Sequence, residues 1–145
     1  MILYRQANDN DFDFTFKIKT NSTKQLVEKI WGWDDTVQLD HHKNQFNPHK
    51  IKIIIDEKQQ VGYISTFVIE NILFIENILI DTPFQGKKIG TKVLIDTIKS
   101  AVEQKKRVEL QVFKINDRAI KLYERLNFQT FGQTDLHYKM RYKEN

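Results

Sequence analysis

The chain has 145 residues, 40% of them hydrophobic and 29% charged, with no cysteine and a formal net charge of +4. That length suits one domain, residues 1–145, with a real hydrophobic core, and the balance argues against wholesale disorder. Without cysteine there is no disulfide framework, thiolate zinc site or cysteine nucleophile, and no apolar run is long enough to span a bilayer. The N-terminus, Met1-Ile-Leu-Tyr-Arg-Gln, runs directly into Asn and Asp and does not resemble a secretory signal, so a soluble, cytoplasmic protein is expected.

In chain order, Ile2–Gln6 reads as a strand and Asn8–Asp11 as a turn or helix cap. A helix is expected from about Phe12 towards Ile30, with Thr20-Asn-Ser-Thr23 as a candidate break. After Trp31-Gly-Trp-Asp-Asp35 a second helix is expected from Asp35 to about Phe46, closed by Asn47-Pro48. Ile51–Ile55, Val61–Ile69 and Ile72–Ile80 read as strands joined by short polar turns, an antiparallel meander. The last of these is nearly all apolar and reads as buried on both faces. A Gly-bearing loop, Asp81–Thr91, leads into a helix whose apolar positions are Val93, Leu94, Ile98, Ala101 and Val102. Arg107–Phe113 alternates as a strand, a helix starts at Asn116, and Phe128–Phe131 and Leu136–Tyr142 close the chain as strands.

The order buried strand, short loop, helix exposes backbone N–H groups at the positive end of a helix dipole, a site for an anion such as pyrophosphate. The spacing of Gly86 and Gly90 excludes a P-loop, and G-x-G-x-x-G is absent. The loop resembles the acetyl-CoA pyrophosphate loop of the GNAT N-acetyltransferase superfamily, Gln/Arg-x-x-Gly-x-Gly/Ala. Gln85 and Gly90 match, while Lys88 stands where the family usually has its middle glycine. Either Lys88 keeps φ negative, or the position tolerates a side chain in a glycine conformation. Downstream, Asn116, Ala119, Leu122, Tyr123 and Phe128 are similar in register to the second signature of that family. Asn127 replaces its glycine, at a helix C′ position where Asn is the next most tolerant residue. The resemblance covers nearly the whole chain. It implies an α/β (α+β mixed) GNAT-type acyl-CoA N-acyltransferase fold: a central mixed, mostly antiparallel sheet flanked by about four helices.

The resemblance further implies acetyl-CoA as co-substrate and direct attack of an amine on the thioester. Backbone N–H groups of Gly86, Lys87, Lys88, Ile89 and Gly90 would hold the pyrophosphate, with Gln85 opening the cofactor loop and Thr91 at the helix start. Lys87 and Lys88 would add charge attraction to the phosphates or stand as a solvated loop. Main-chain groups of Leu79 and Ile80 and the side chain of Asn116 would meet the pantetheine arm. The family's Tyr at position 123 faces the CoA sulfur, which implies a general acid; the helical face it shares with Ala119, Leu122 and Leu126 points by itself to a core tyrosine with its hydroxyl at the rim. Glu76, in the most apolar strand, is a candidate general base with a pKa raised by desolvation, or a solvent-facing or ion-paired carboxylate. Trp31, Trp33, Asp34 and Asp35 offer aromatic faces and carboxylates to a cationic acceptor. The same residues would serve as an inter-helix anchor and helix caps.

The expected partner is thus a small-molecule amine. Polyamines, aminoglycoside-like amines, amino acids and protein N-termini all remain open. No metal is assigned, since His41-His42 lacks partners at ligand spacing. Lys105-Lys106-Arg107 is explained by cations complementing a helix C-terminus, so neither nucleic acid nor membrane is expected as a partner. The family allows a homodimer. The alternative class is a CoA-binding regulatory module that keeps the fold without turnover.

Overall fold

The computed structural model describes residues 1–144. Its elements follow the expected order β-α-α-β-β-β-α-β-α-β-β, with three short 3-10 turns added. Seven strands form one sheet in the order β1-β2-β3-β4-β5-β7-β6, taking β1 to β7 in chain order. By packing, the chain divides into two compact units: Met1–Ser65 with Asn77–Ile89, and Thr66–Glu76 with the chain from Gly90 on.

In the first unit, β1 (Ile2–Gln6) pairs antiparallel with β2 (Ile51–Asp56). A 3-10 turn at Asp9–Asp11 follows, closed by a capping box between Asn8 and Asp11. The Arg5 guanidinium grips the Asp11 carboxylate through both oxygens, at 2.9 and 2.8 Å, and holds its pKa below the usual range. Helix α1 (Phe12–Trp31) runs unbroken through Thr20–Thr23. The reason lies in where those hydroxyls go. Thr23 Oγ1 donates back to the Lys19 carbonyl at 2.6 Å, an i−4 bond that a continuous helix accommodates, and Ser22 Oγ donates out of the helix to the Ile80 carbonyl at 3.4 Å. Gly32, at φ 79°, ends the helix. Helix α2 (Asp35–Gln45) stops before Phe46 and Asn47-Pro48.

The turn after β2 is tighter than expected. Only Glu57 and Lys58 lie between β2 and β3 (Gln59–Ile69), both with positive φ, as a two-residue hairpin demands. The β2–β3 register slips between Ile54 and Ile55. The core of this unit gathers Ala7, Ile18, Ile51, Ile53 and Tyr63, with Phe14, Phe46, Ile55 and Leu79 packed against it.

β4 (Ile72–Ile80) has the expected bounds but not the expected burial: only Ile75 is fully buried and the other eight residues are half-exposed. An apolar run therefore overstated how completely this strand is covered.

In the second unit, β4 pairs parallel with β5 (Arg107–Phe113) over Ile72–Ile75 and Arg107–Leu110. Helix α3 (Ile89–Glu103) buries Ile89, Val93, Leu94, Ile98 and Ala101, the stripe its spacing predicts. Helix α4 (Asp117–Arg125) ends at Asn127, whose φ of 73° confirms the left-handed C′ position. β6 (Phe128–Gln133) and β7 (His137–Tyr142) form an antiparallel pair, and β7 pairs with β5. Val108, Leu110, Val112, Phe128 and Met140 are the buried residues of these strands.

Candidate active site

The loop after β4 is built by local rules. Asp81 caps a 3-10 turn at Thr82–Phe84, its side chain accepting from the Thr82 N–H at 2.9 Å, with Pro83 fixing the first turn. Gln85 then turns back. Its Nε2 donates to the Ile80 carbonyl at 2.9 Å, tying the loop to the end of β4. So the Gln85 side chain is a brace, leaving backbone N–H groups as what the loop offers a ligand. Gly86 has φ 79° and Lys88 φ 63°. Lys88 thus takes the left-handed conformation the family fills with glycine, and pays for it as a side-chain-bearing residue. Gly86, Lys87 and Lys88 are exposed and Ile89 is buried. Lys87 Nζ lies 5.8 Å from the Phe84 ring centroid. Gly90 and Thr91 occupy the first turn of α3.

Leu79 and Ile80 are half-buried at the end of β4. Their neighbour across the strands is Gly62, a residue the sequence did not single out. A Cβ there would stand 2.2 Å from the Leu79 carbonyl oxygen and 3.1 Å from Ile80 Cα. Gly62 is what lets β3 approach this backbone. Asp81 N–H donates to the Val61 carbonyl at 2.8 Å, extending the contact. A glycine inside an otherwise β-branched strand was the available signal.

The Trp31–Asp35 segment divides by role. Trp31 is 63% exposed, so it does not anchor a core turn. Trp33 is half-buried; its Nε1 donates to Asp35 Oδ1 at 2.7 Å, and Lys24 Nζ lies 5.6 Å from its ring centroid. Asp34 caps α2, accepting from the Val37 N–H at 3.0 Å. The aspartates are therefore cap and tryptophan partner, and both remain exposed.

In the second unit, Asn116 is the N-cap of α4, its Oδ1 accepting from the Ala119 N–H at 3.2 Å. That helix carries Tyr123, whose ring meets Phe128 edge-on at 5.7 Å. Burial pushes the Tyr123 phenol up to about 12. A phenol is protonated at neutral pH in any case, the state a general acid needs, and burial makes this one the weaker acid. Glu76 is half-buried in β4 and engaged with a neighbouring group.

A second unanticipated feature is His42, 3% exposed on α2. It is ringed by Phe12, Phe16 and Phe46, with Nε2 3.2 Å from Thr15 Oγ1 and 3.3 Å from the Phe12 carbonyl. Its Nδ1 is buried without a hydrogen bond among the described residues. Burial pushes its pKa down to about 4. It is a neutral core residue.

The element order and the seven-stranded mixed sheet define an acyl-CoA N-acyltransferase class of fold. Residues 19–128 match the acetyltransferase (GNAT) family, and the chain belongs to that family, whose members use acetyl-CoA. A stretch of 67 residues is 36% identical to the spermine/spermidine N(1)-acetyltransferase of Bacillus subtilis (strain 168). The same identity and length hold for a probable spermine N(1)-acetyltransferase of Bacillus subtilis subsp. natto (strain BEST195). Each match covers 45% of this chain and 44% of the relative, so the chain spans less than half the length of these curated relatives. Among solved structures, the PaiA N-acetyltransferase of Thermoplasma acidophilum in complex with coenzyme A superposes with a TM-score of 0.81 at 15% identity, covering 99% of both chains. The ribosomal-protein-S18-alanine N-acetyltransferase of Escherichia coli gives 0.68 at 18% identity, covering 97% of this chain and 90% of that one. At these identities the likeness is one of fold.

Proposed function

We propose that this chain transfers the acetyl group of acetyl-CoA to a primary amine of a small polycation, of polyamine type, by direct attack. The observation that carries the chemistry is the place of Tyr123, on the helix that Asn116 caps and edge-on to Phe128, with a phenol protonated at neutral pH. The acceptor class rests on the partial match to spermine and spermidine acetyltransferases and on the half-buried Trp33 beside the exposed Asp34 and Asp35.

Acetyl-CoA as co-substrate supplies an activated thioester. The residues present fit it: a loop with two left-handed positions, exposed backbone N–H groups at Gly86–Lys88, and two lysines beside them. In the reaction an acceptor nitrogen forms the new C–N bond, the C–S bond breaks, and the departing thiolate takes the Tyr123 proton. The proton lost by the amine leaves through a base, for which Glu76 is the candidate, directly or through water. Leu79 and Ile80, held by Gly62 and by Gln85, present the strand backbone along which the pantetheine arm would align.

The test is thiol release from acetyl-CoA with spermine, spermidine and putrescine, set against a neutral and an acidic primary amine. Turnover with the polycations alone upholds the proposal. Turnover confined to the neutral or acidic amines overturns the acceptor class, and no turnover with any amine, while CoA still raises the Tm, would favour the regulatory module.

A further inference from the structure

A groove of about 450 Å³ lies on the second unit, where the end of α3 and the start of β5 face the β6–β7 hairpin. Its walls carry Lys106, Arg107, Arg141 and Lys143 against a single acid, Glu144. None of these belongs to the loop or to α4, and the groove sits at the N-terminal end of β5, away from the end that feeds Asn116.

The cross-strand pairing explains why this charge is unspent. Glu109 stands opposite Arg141 in the β5–β7 register, and Arg141 Nε and Nη2 lie 2.9 and 2.8 Å from Glu109 Oε2. That pair is satisfied. Arg107 and Lys143 line the groove as well, each two residues from that pair and beyond the paired residues of the ladder. Both are exposed, and neither side chain makes an ion pair among the described residues. Lys143 is held at that level by its backbone, whose N–H donates to the Asn127 carbonyl at 2.9 Å. Lys106, the third cation, sends Nζ to Gln104 Oε1 at 2.6 Å, a neutral acceptor.

The far wall is aromatic. The β6–β7 register slips between Thr130 and Gly132, and the residue in the bulge, Phe131, is turned outward and 45% exposed. The Arg141 guanidinium lies 4.2 Å from its ring centroid. Arg107 and Lys143, the Phe131 ring with the Arg141 guanidinium against it, and the polar residues Thr130 and Gln129 line one groove, a composition suited to an anion. Phosphate oxygens can take the Arg107 fork and the Lys143 ammonium together as charge-assisted donors.

We propose that this groove is a second anion site, taking a small phosphate-bearing ligand between pyrophosphate and a mononucleotide in size. Its test uses the protein saturated with CoA, so that the phosphate loop is already filled, and calorimetric titration at low salt with inorganic pyrophosphate and with ADP. Saturable binding of one ligand per chain is expected, weakening as salt rises. Arg107→Gln with Lys143→Gln should lose affinity by about tenfold or more, with an unchanged Tm. Lys143→Gln alone, just beyond the end of β7, serves if the double variant fails to fold. ADP binding more tightly than pyrophosphate, with the gain lost in Phe131→Ala, identifies a nucleotide; equal binding identifies the phosphate alone, and either upholds the site. No saturable binding to the CoA-loaded protein, binding of single-stranded oligonucleotide only, or a folded variant that binds as well as wild type overturns it.

Discussion

At the scale of single residues, three side chains carry distinct expectations. Tyr123→Phe keeps the edge-on contact with Phe128 and removes only the hydroxyl. Single-turnover thiol release should fall roughly 10²-fold or more, with CoA affinity and Tm nearly unchanged; an unaltered chemical step would return Tyr123 to a packing role. Lys88 sits at φ 63°, so Lys88→Gly should relieve left-handed strain and stabilise the chain by about 1 kcal/mol in denaturant melts, offset in part by glycine's larger unfolded-state entropy. His42 sets a pH dependence. Its folded pKa of about 4 lies below the ordinary 6.5, so the unfolded chain binds the proton more readily. Stability is full above about pH 6.5 and falls as pH drops through that value towards 4, by at most about 3 kcal/mol. His41 and His137 are depressed as well and steepen the same slope. The measurement is therefore the difference between wild type and His42→Leu in melts from pH 7 to 5: His42→Leu should lose less stability over that range, and equal losses would mean His42 does not stay neutral when folded. The departures at 88 and 127 were legible because each falls in a motif whose backbone demand is known. His42 was not, because its partners Thr15 and Phe12 lie far away in sequence and only helix packing brings them to its ring.

At the scale of elements, strand and helix existence followed from apolar period, and the misreadings follow from what period leaves out. Thr20–Thr23 looked like a break because Ser, Thr and Asn compete for nearby backbone; in α1 the Ser22 hydroxyl found an acceptor outside the helix, and Thr23 bonds back to the carbonyl four residues before it, a bond a continuous helix accommodates. The β2–β3 turn closed on two residues because Glu57 and Lys58 accept positive φ, which composition does not announce. β4 read as covered on both faces because apolar residues alone do not say what lies over them. The candidate site was legible as motifs, in the loop and in the Asn116 helix. Its support was not: the Gly62 contact, the Gln85 brace and the Asp34 cap are pairings across turns and strands. Gly62→Ala tests that support. The added methyl meets a backbone carbonyl that cannot rotate away, so β3 and β4 must part. Stability should drop by about 1–3 kcal/mol. If Leu79 and Ile80 align the pantetheine arm, the KM for acetyl-CoA should rise while that for the amine moves little. A variant destabilised to that degree, with an unchanged KM for acetyl-CoA, would mean the arm is read from other groups.

Over the whole molecule, charge is unevenly spent. The chain is net basic, yet Trp31–Asp40 holds three aspartates and no Lys or Arg. Asp34 and Asp35 have local duties, as cap and as partner of Trp33 Nε1, and both duties need an oxygen acceptor but no charge. Asn caps as well as Asp does. Asp34→Asn with Asp35→Asn therefore removes two negative charges while keeping each hydrogen bond, at a helix-dipole cost of about 0.3–1 kcal/mol each. If these carboxylates draw in a polycation, the acceptor KM should rise several-fold at low ionic strength, with kcat and the KM for acetyl-CoA unchanged. The rise should shrink as salt is added, because exposed charges are screened over about 8 Å at physiological ionic strength. Lys24, with its ammonium already 5.6 Å from the Trp33 ring centroid, sharpens the test. Lys24→Met frees that aromatic face and removes a competing cation, so it should lower the acceptor KM where the double substitution raises it. Opposite shifts in the two variants assign the acceptor's charge recognition to this segment. Unchanged acceptor KM in both, in folded protein at low salt, would leave the aspartates as cap and tryptophan partner alone.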